Sequence, residues 1–480
     1  MELGELGKWK LILKLYQKEK ADFSSVNYST IMSQLGRIRQ MRTDDPLFKG
    51  LLNDLCAKLN NEHGIAWQGF RPRQLATIVH TIAKMKLPTK GNSSAMKIMS
   101  FMGDEKTTKW FFEEANTQEV ANCAWACAKL GINSLNLFRL IDERGEWLFE
   151  NGTPQNVANC IWSCGTLGIE LPHLFRLLDQ RVGWLFENGN SQNVANCVWA
   201  CGALGIESPN LFQVLDQHGE WLFDNGNAQE VAICVWACGT LGIKSPNLFR
   251  LLDERGVWLF ENGDPQAVAN CVWACGTLGI EATNLMTVLD QRGEWLFEHG
   301  TAQNVANCIW SCGTLGIEAP NLFRLLDQRC AFLFESGEPQ CVASCVWACG
   351  KLVIESPNLF ISLDQSSEWF FQNGTPQNVA NCIWACGALR VELPNLFRLL
   401  DRRGAWLFKN GNAQNVANCV LACAKLGIES PTLFRILDQR GEWLLQTGTP
   451  QDVANCVSAC GTLGIHSPNL FRLLQQRGGG

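Results

Sequence analysis

The strongest constraint on this chain is a period. Gln118, Gln155, Gln192, Gln229, Gln266, Gln303, Gln340, Gln377, Gln414 and Gln451 stand 37 residues apart each time, with no insertion or deletion. A fixed period of this size marks a solenoid or array, in which one supersecondary unit is stacked on copies of itself. Residues 153–189, TPQNVANCIWSCGTLGIELPHLFRLLDQRVGWLFENG, represent the unit.

Thr153 offers a hydroxyl to cap a helix, and Pro154 suits the first helical position, where its missing N–H has no partner to lose. The pattern predicts a first helix of about fourteen residues ending at Gly168, which can take the left-handed C-terminal conformation. Ser208-Pro209, Ser245-Pro246, Ser356-Pro357 and Ser467-Pro468 mark a second start in other copies. The second helix then runs through a segment such as PNLFRLLDQRGEWLFENG. The unit reads as a helical hairpin, and the fold class as all-α, an α-solenoid (superhelix) of tandem 37-residue hairpins. A helical projection places Val157, Cys160, Ile161 and Cys164 on one apolar face. Gln155, Asn156, Asn159, Ser163 and Thr166 fall on the other side, with Ala158, Trp162 and Gly165 at the flanks. No lone hairpin can bury such a face, so neighbouring units share one continuous core. Ala158 and Gly165 allow the first helices to approach closely.

Three segments follow from the register. Residues 1–27 read as an N-terminal amphipathic helix, with Glu2 and Glu5 near its start and no signal-peptide apolar segment. Residues 28–115 contain two degenerate units, with Thr30 and Thr77 in the asparagine place, His80 in the tryptophan place, and a partly basic insertion over Lys90 to Lys109. Residues 116–480 hold ten regular units, the last truncated.

Charge is unevenly placed along the chain. Residues 1–115 carry 18 Lys and Arg against 12 Asp and Glu, leaving 22 against 34 in the regular array. An acidic array disfavours tight, indiscriminate phosphate binding. No run is long and apolar enough to span a bilayer. Of 23 cysteines, twenty occupy the two positions represented by Cys160 and Cys164. A spacing of four puts both on the buried side, where free cysteine behaves as a small apolar residue, and this pattern fits a reducing compartment. The recurring Asp179 and Glu187 read as solvated partners of nearby arginines. The six histidines, including His63, share no place in the repeat, and no catalytic, phosphate-binding or dinucleotide motif occurs. The chain therefore reads as a non-enzyme, with no cofactor, metal or small-molecule substrate and no membrane partner.

The stretch PQNVANCIWSCGTLG resembles the P-Q-D-L-A-N-T-L-W-A-L-A-K-L-G pattern of octotricopeptide repeats, and Trp125 with Ala128-Lys129-Leu130-Gly131 is a close local match. RPRQLATIVHTIAKM is similar to first repeats of related RAP-domain proteins, although no RAP domain is present here. The resemblance implies an α-solenoid that binds single-stranded organellar RNA in chloroplasts or mitochondria and governs its processing, stability or translation. No transit peptide is legible, and a cytoplasmic location stands as the alternative. RNA-binding repeats read about one base each through two or three side chains. The candidate pairs are Asn156 with Asn159, Asn193 with Asn196, Asn304 with Asn307, Asn378 with Asn381, and Asn415 with Asn418, joined by Glu230, Asn270, Asp452 and Asn455. Within a pair, the varying residue (Asn156) is expected to read the base, and the constant one (Asn159) to bond a neighbouring unit. Trp162 is expected to pack between units. The competing reading is a protein-binding scaffold of the armadillo or HEAT kind with no nucleic-acid ligand.

Overall fold

A computed structural model of the chain describes residues 2–38, 41–59, 69–88 and 93–478. His63, Lys90 and the side chains of Glu2 and Glu5 lie outside the described residues. Every regular element among the described residues is helical. The chain divides into two compact units, Met1–Gly226 and Asn227–Gly480.

In the first unit the helices Ser25–Leu35, Pro72–Lys84, Thr117–Leu130, Pro154–Leu167 and Ser191–Leu204 pack one on the next in that order. In the second unit the same serial packing runs from Ala228–Leu241 through Pro265–Leu278, Ala302–Leu315, Pro339–Leu352, Pro376–Leu389 and Ala413–Leu426 to Pro450–Leu463. Each unit is thus an α-solenoid built on a row of first helices. Val157, Ala158, Cys160, Ile161 and Cys164 and their equivalents are buried along both rows up to the last helix, Pro450–Leu463, where Cys456 and Cys460 stay buried and Ala454 is exposed. The helices meet at backbone distance: a Cβ added to Gly165 would lie 2.9 Å from Ala200 Cα, and one on Gly350 would lie 2.7 Å from Ala385 Cα. Any side chain at these glycines would push two helices apart.

The second arm of the repeat is bent. Where the sequence predicts one helix, the structure has two, Pro172–Gln180 and Val182–Asn188, separated by Arg181 at φ −109° and ψ 23°. The break recurs in every complete repeat. It presents Leu148 and Phe149, or Leu185 and Phe186, to the core as a separate short helix. The second tryptophan of most repeats then packs against an aromatic ring of the repeat before it within the same unit. Trp184 meets Phe149 edge-on at 5.6 Å, and Trp443 meets Phe408 at the same distance.

A larger departure concerns the recurring aspartate, which bonds across the repeat boundary. Ser208 and Ser356 do not cap their own helices. The aspartate of the preceding repeat does. Asp179 Oδ1 accepts from the Asn210 and Leu211 amides at 2.9 and 3.1 Å and from the Ser208 hydroxyl at 2.9 Å. Asp327 accepts from Ser356, from the Asn358 amide and side chain, and from Leu359. Asp142, Asp253, Asp290, Asp364, Asp401 and Asp438 do the same for the repeats that follow them. A helix N-terminus has unpaired N–H groups and a positive partial charge, and a carboxylate answers both. The arginine partners expected of these aspartates turn instead to glutamates, as in Arg181–Glu146 at 2.5 Å.

Two repeats close their first helix without glycine: Val353 (φ 57°) and Arg390 (φ 56°) occupy the left-handed position that Gly168 and its equivalents hold elsewhere. L-residues lose about 1–2 kcal/mol there. Val353→Gly is expected to raise stability by about 1 kcal/mol, and Arg390→Gly by a similar amount, each read as a higher unfolding midpoint in urea. Asp327→Ala should cost about 1–2 kcal/mol and Asp327→Asn less, because the amide oxygen still accepts. Hydrogen exchange at the Asn358 and Leu359 amides checks the assignment, since those two should lose protection first.

Candidate nucleic-acid interface

A row of four places on the first helix reaches solvent. In the second regular repeat Gln155 and Thr166 are exposed, and Asn159 and Trp162 are half-buried. Their spacing of four, three and four residues puts them on one face of the helix. The same four places hold Gln266, Asn270, Trp273 and Thr277, and Gln303, Asn307, Trp310 and Thr314. Because the first helices pack in series, this face becomes a ridge of amides and indoles within each unit.

Apart from the half-buried Glu230, the other residues expected on the ridge do not reach it. Ser163 is fully buried, and its hydroxyl donates to the Asn159 carbonyl at 2.6 Å. Asn156, Asn193, Asn304, Asn378, Asn415 and Asp452 are 3–7% exposed. Each sits three residues after its N-cap and closes a capping box, so its varying identity follows the demands of helix capping. Thr153 N–H donates to Asn156 Oδ1 at 3.1 Å while the Asn156 amide donates to Thr153 Oγ1 at 3.4 Å. The Asn227–Glu230 and Thr449–Asp452 pairs are built alike. Ala267 cannot complete the box and only donates its amide to Asp264. The spacing Thr153-x-x-Asn156 was the available signal in the sequence.

In two of the asparagine pairs the residue expected to read a base bonds a neighbouring repeat instead. The bond between neighbouring repeats is made by the capping-box residue: Asn304 Nδ2 donates to Gln266 Oε1 at 3.0 Å, and Asn378 Nδ2 to Gln340 Oε1 at 2.5 Å. The constant asparagines, Asn159, Asn196, Asn270, Asn307, Asn381, Asn418 and Asn455, are the ones left half-exposed on the ridge.

Aromatic rings run along the ridge of the first unit. His80 lies 4.7 Å from Trp125, ring centre to ring centre, and Trp162 stacks on Trp199 at 6.1 Å. Lys129 Nζ sits 5.7 Å from the Trp125 ring and 4.8 Å from that of Trp162, within cation–π range of both. Burial pushes the His80 imidazole below its usual pKa, and Lys84 adds to the effect. His80 is therefore neutral near pH 7 and serves as a flat ring. In the second unit Trp273, Trp347 and Trp384 each cover a glycine of the preceding repeat, Gly239, Gly313 and Gly350, so packing holds one face and edge while part of the ring stays open. The exposed charges on the ridge are cationic: Lys129, Lys351 and Lys425 occupy the threonine place in their repeats. Its carboxylates, Glu119, Glu230 and Asp452, are engaged in capping boxes.

All 23 cysteines are free thiols and buried. Among the described residues no group of three or more His, Cys, Asp or Glu side chains is placed to hold a metal ion. No helix among them is long and apolar enough to cross a membrane.

Serially packed helical repeats with an exposed row of amides and indoles define a helical-repeat protein of the α-solenoid class. The family model described as RESC6, RNA-editing substrate-binding complex 6 protein, matches residues 65–311, just over half of the chain, and the chain belongs to that family. Among curated proteins none matches it. Among solved structures it is similar to the pentatricopeptide repeat protein PPR10 from maize, at 10% identity and a TM-score of 0.33 over 98% of this chain and 82% of that one. It is also similar to a chain of a homology model of the full-length AP-3 complex in an intermediate open conformation, at 13% identity and a TM-score of 0.32 over 95% and 86%.

Burial pushes the Cys127, Cys160, Cys201, Cys275 and Cys312 thiols up to about 12. A thiol that ionises near 9 when unfolded and near 12 when folded stabilises the fold fully below about pH 9, and that stability is lost as pH rises towards 12. Each such thiol contributes up to about 1.4 kcal/mol per pH unit in that window. The melting temperature should thus be flat from pH 7 to 8 and drop steeply between 9 and 10. Circular dichroism melts check this, and replacing Cys160 and Cys164 by alanine should make the drop shallower.

Proposed function

We propose that this protein binds single-stranded RNA along the first-helix ridge and acts post-transcriptionally, in processing, stability or translation, on transcripts of a mitochondrion or chloroplast. The observation that carries the proposal is the composition of the ridge. Half-exposed amides alternate with half-exposed indoles, and its unengaged charges are lysines. Aromatic faces stack bases and amides hydrogen-bond to base edges without needing positive charge. Most of the array's acidic residues lie on other faces, and on the ridge Lys129, Lys351 and Lys425 offset the capping-box carboxylates Glu119, Glu230 and Asp452. Membership of a family described as RNA-editing substrate-binding, and the likeness of the first helix to octotricopeptide repeats, support the same reading. Asn159, Asn196, Asn270, Asn307, Asn381, Asn418 and Asn455 are the base-contacting residues in this proposal, and the capping-box residues hold the helices that carry them. The net acidity of the array favours the second reading, a protein scaffold.

Fluorescence anisotropy with a short labelled RNA, titrated with salt, separates the two. RNA binding predicts measurable affinity at low salt and a logarithmic decline whose slope falls by about one for Lys129→Ala. Trp162→Leu copies the residue that the ninth regular repeat already carries as Leu421. It should preserve stability and weaken binding by about 1–3 kcal/mol through lost stacking. Absence of binding at low salt would overturn the RNA reading and leave the scaffold.

A further inference from the structure

In the second unit the orientation of one ridge amide, Asn270, is linked to the backbone of the next repeat. The Thr301 N–H donates to Asn304 Oδ1 at 3.0 Å, which leaves Asn304 only its Nδ2 to offer Gln266. Gln266 must therefore accept through Oε1. Its Nε2 in turn donates to Asn270 Oδ1 at 2.8 Å. Asn270 is left with its Nδ2 unused, and that group is open to solvent: the one buried side-chain nitrogen or oxygen without a partner among the described residues is Trp9 Nε1. The next ridge position repeats the outcome. Cys341 Sγ donates to Gln303 Oε1 at 3.3 Å, and Gln303 Nε2 donates to Asn307 Oδ1 at 2.7 Å. At the end of the row Gln451 Nε2 donates to Asn455 Oδ1 at 2.9 Å.

A free asparagine side chain presents donor and acceptor equally, because it can turn over. Here a backbone N–H, through two relayed bonds, fixes which end faces out. We propose that this relay makes Asn270 an outward donor, and that the Cys341 thiol does the same for Asn307 through Gln303, so that the array selects RNA bases carrying a carbonyl oxygen (uracil O4, guanine O6) over those carrying an amino group at the same place (cytosine N4, adenine N6). The selection rests on the RNA-binding reading above. Uracil and cytosine are the decisive comparison. They match in size and stacking surface and differ at C4, where one offers an acceptor to Nδ2 and the other sets a donor against it. Gln340 marks where the relay changes, since its Nε2 meets the Ser344 hydroxyl at 3.4 Å, a group that can rotate to give or take. The seventh regular repeat therefore tolerates either kind of base.

The test measures binding of the full chain to twelve-nucleotide oligouridine and oligocytidine at low salt, for the natural protein and for the double variant Gln266→Glu, Gln303→Glu. Glutamate still accepts from Asn304 and Cys341 but cannot donate, so Asn270 and Asn307 must turn and present their oxygens outward. The natural chain should bind oligouridine at least about tenfold more tightly than oligocytidine, as one or two hydrogen-bonded base contacts supply. In the double variant that ratio should fall to about one or invert, whatever the added negative charge does to both affinities. A second variant, Asn270→Ser with Asn307→Ser, copies Ser344 and should also bring the ratio near one with an unchanged melting temperature. Equal binding of both RNAs by the natural chain would overturn the relay as a selector while leaving RNA binding intact. A uridine preference that survives in both variants would overturn it too. Binding of neither RNA would overturn the RNA reading itself, and the selectivity with it.

Discussion

The arrangement depends on a carboxylate that serves a helix in the next repeat. A second helix of nine residues, interrupted at once by the bend at Arg181 or its equivalent, has little internal stability, because short helices carry the full cost of nucleation. Its N-terminal amides are capped by no residue of their own repeat. They are capped by Asp179, or Asp327, 29–32 residues earlier. A repeat therefore supplies its successor with the group that completes its second helix. This makes nearest-neighbour coupling large relative to the stability of any single repeat, the condition under which a linear array unfolds cooperatively.

Much of this architecture was legible in the sequence, and what was not has a common cause. The period, the helix starts at Thr153-Pro154 and Ser208-Pro209, the buried cysteines and the small residues at Ala158 and Gly165 are all local signals. They depend on a residue's own helix or on a contact repeated identically at every boundary. Asp179 was misread because its partners lie in the next repeat, and its proximity in sequence to Arg181 suggested an ion pair. The bend was missed because the apolar spacing continues across it: Arg181 N–H still donates to the Leu177 carbonyl at 2.9 Å and Leu185 N–H to the Arg181 carbonyl at 3.3 Å. Hydrophobic periodicity detects which side chains turn inward, and it cannot detect one residue with displaced backbone angles.

The ridge was half legible for a different reason. Variation between copies suggested adaptation to a ligand, yet Asn156, Glu230 and Asp452 vary among residues that all accept a hydrogen bond from an N-cap amide. Ala267 and Cys341 mark copies that forgo the reciprocal bond. Variation within one chemical capacity points to a shared structural task. The constant Asn159 series, lacking such a task in its own helix, is the part of the pattern that capping does not explain.

These two layers are coupled, and the coupling gives the array a direction. In an asparagine the two ends of the amide are nearly equal in shape, so a surface of free amides has little power to discriminate between bases. Here the capping box at Thr301 polarises Asn304, Asn304 polarises Gln266, and Gln266 polarises Asn270. Information passes from a later repeat to the surface of an earlier one. The same helix-capping bonds that stabilise the stack thus set the hydrogen-bonding sense of the face it presents.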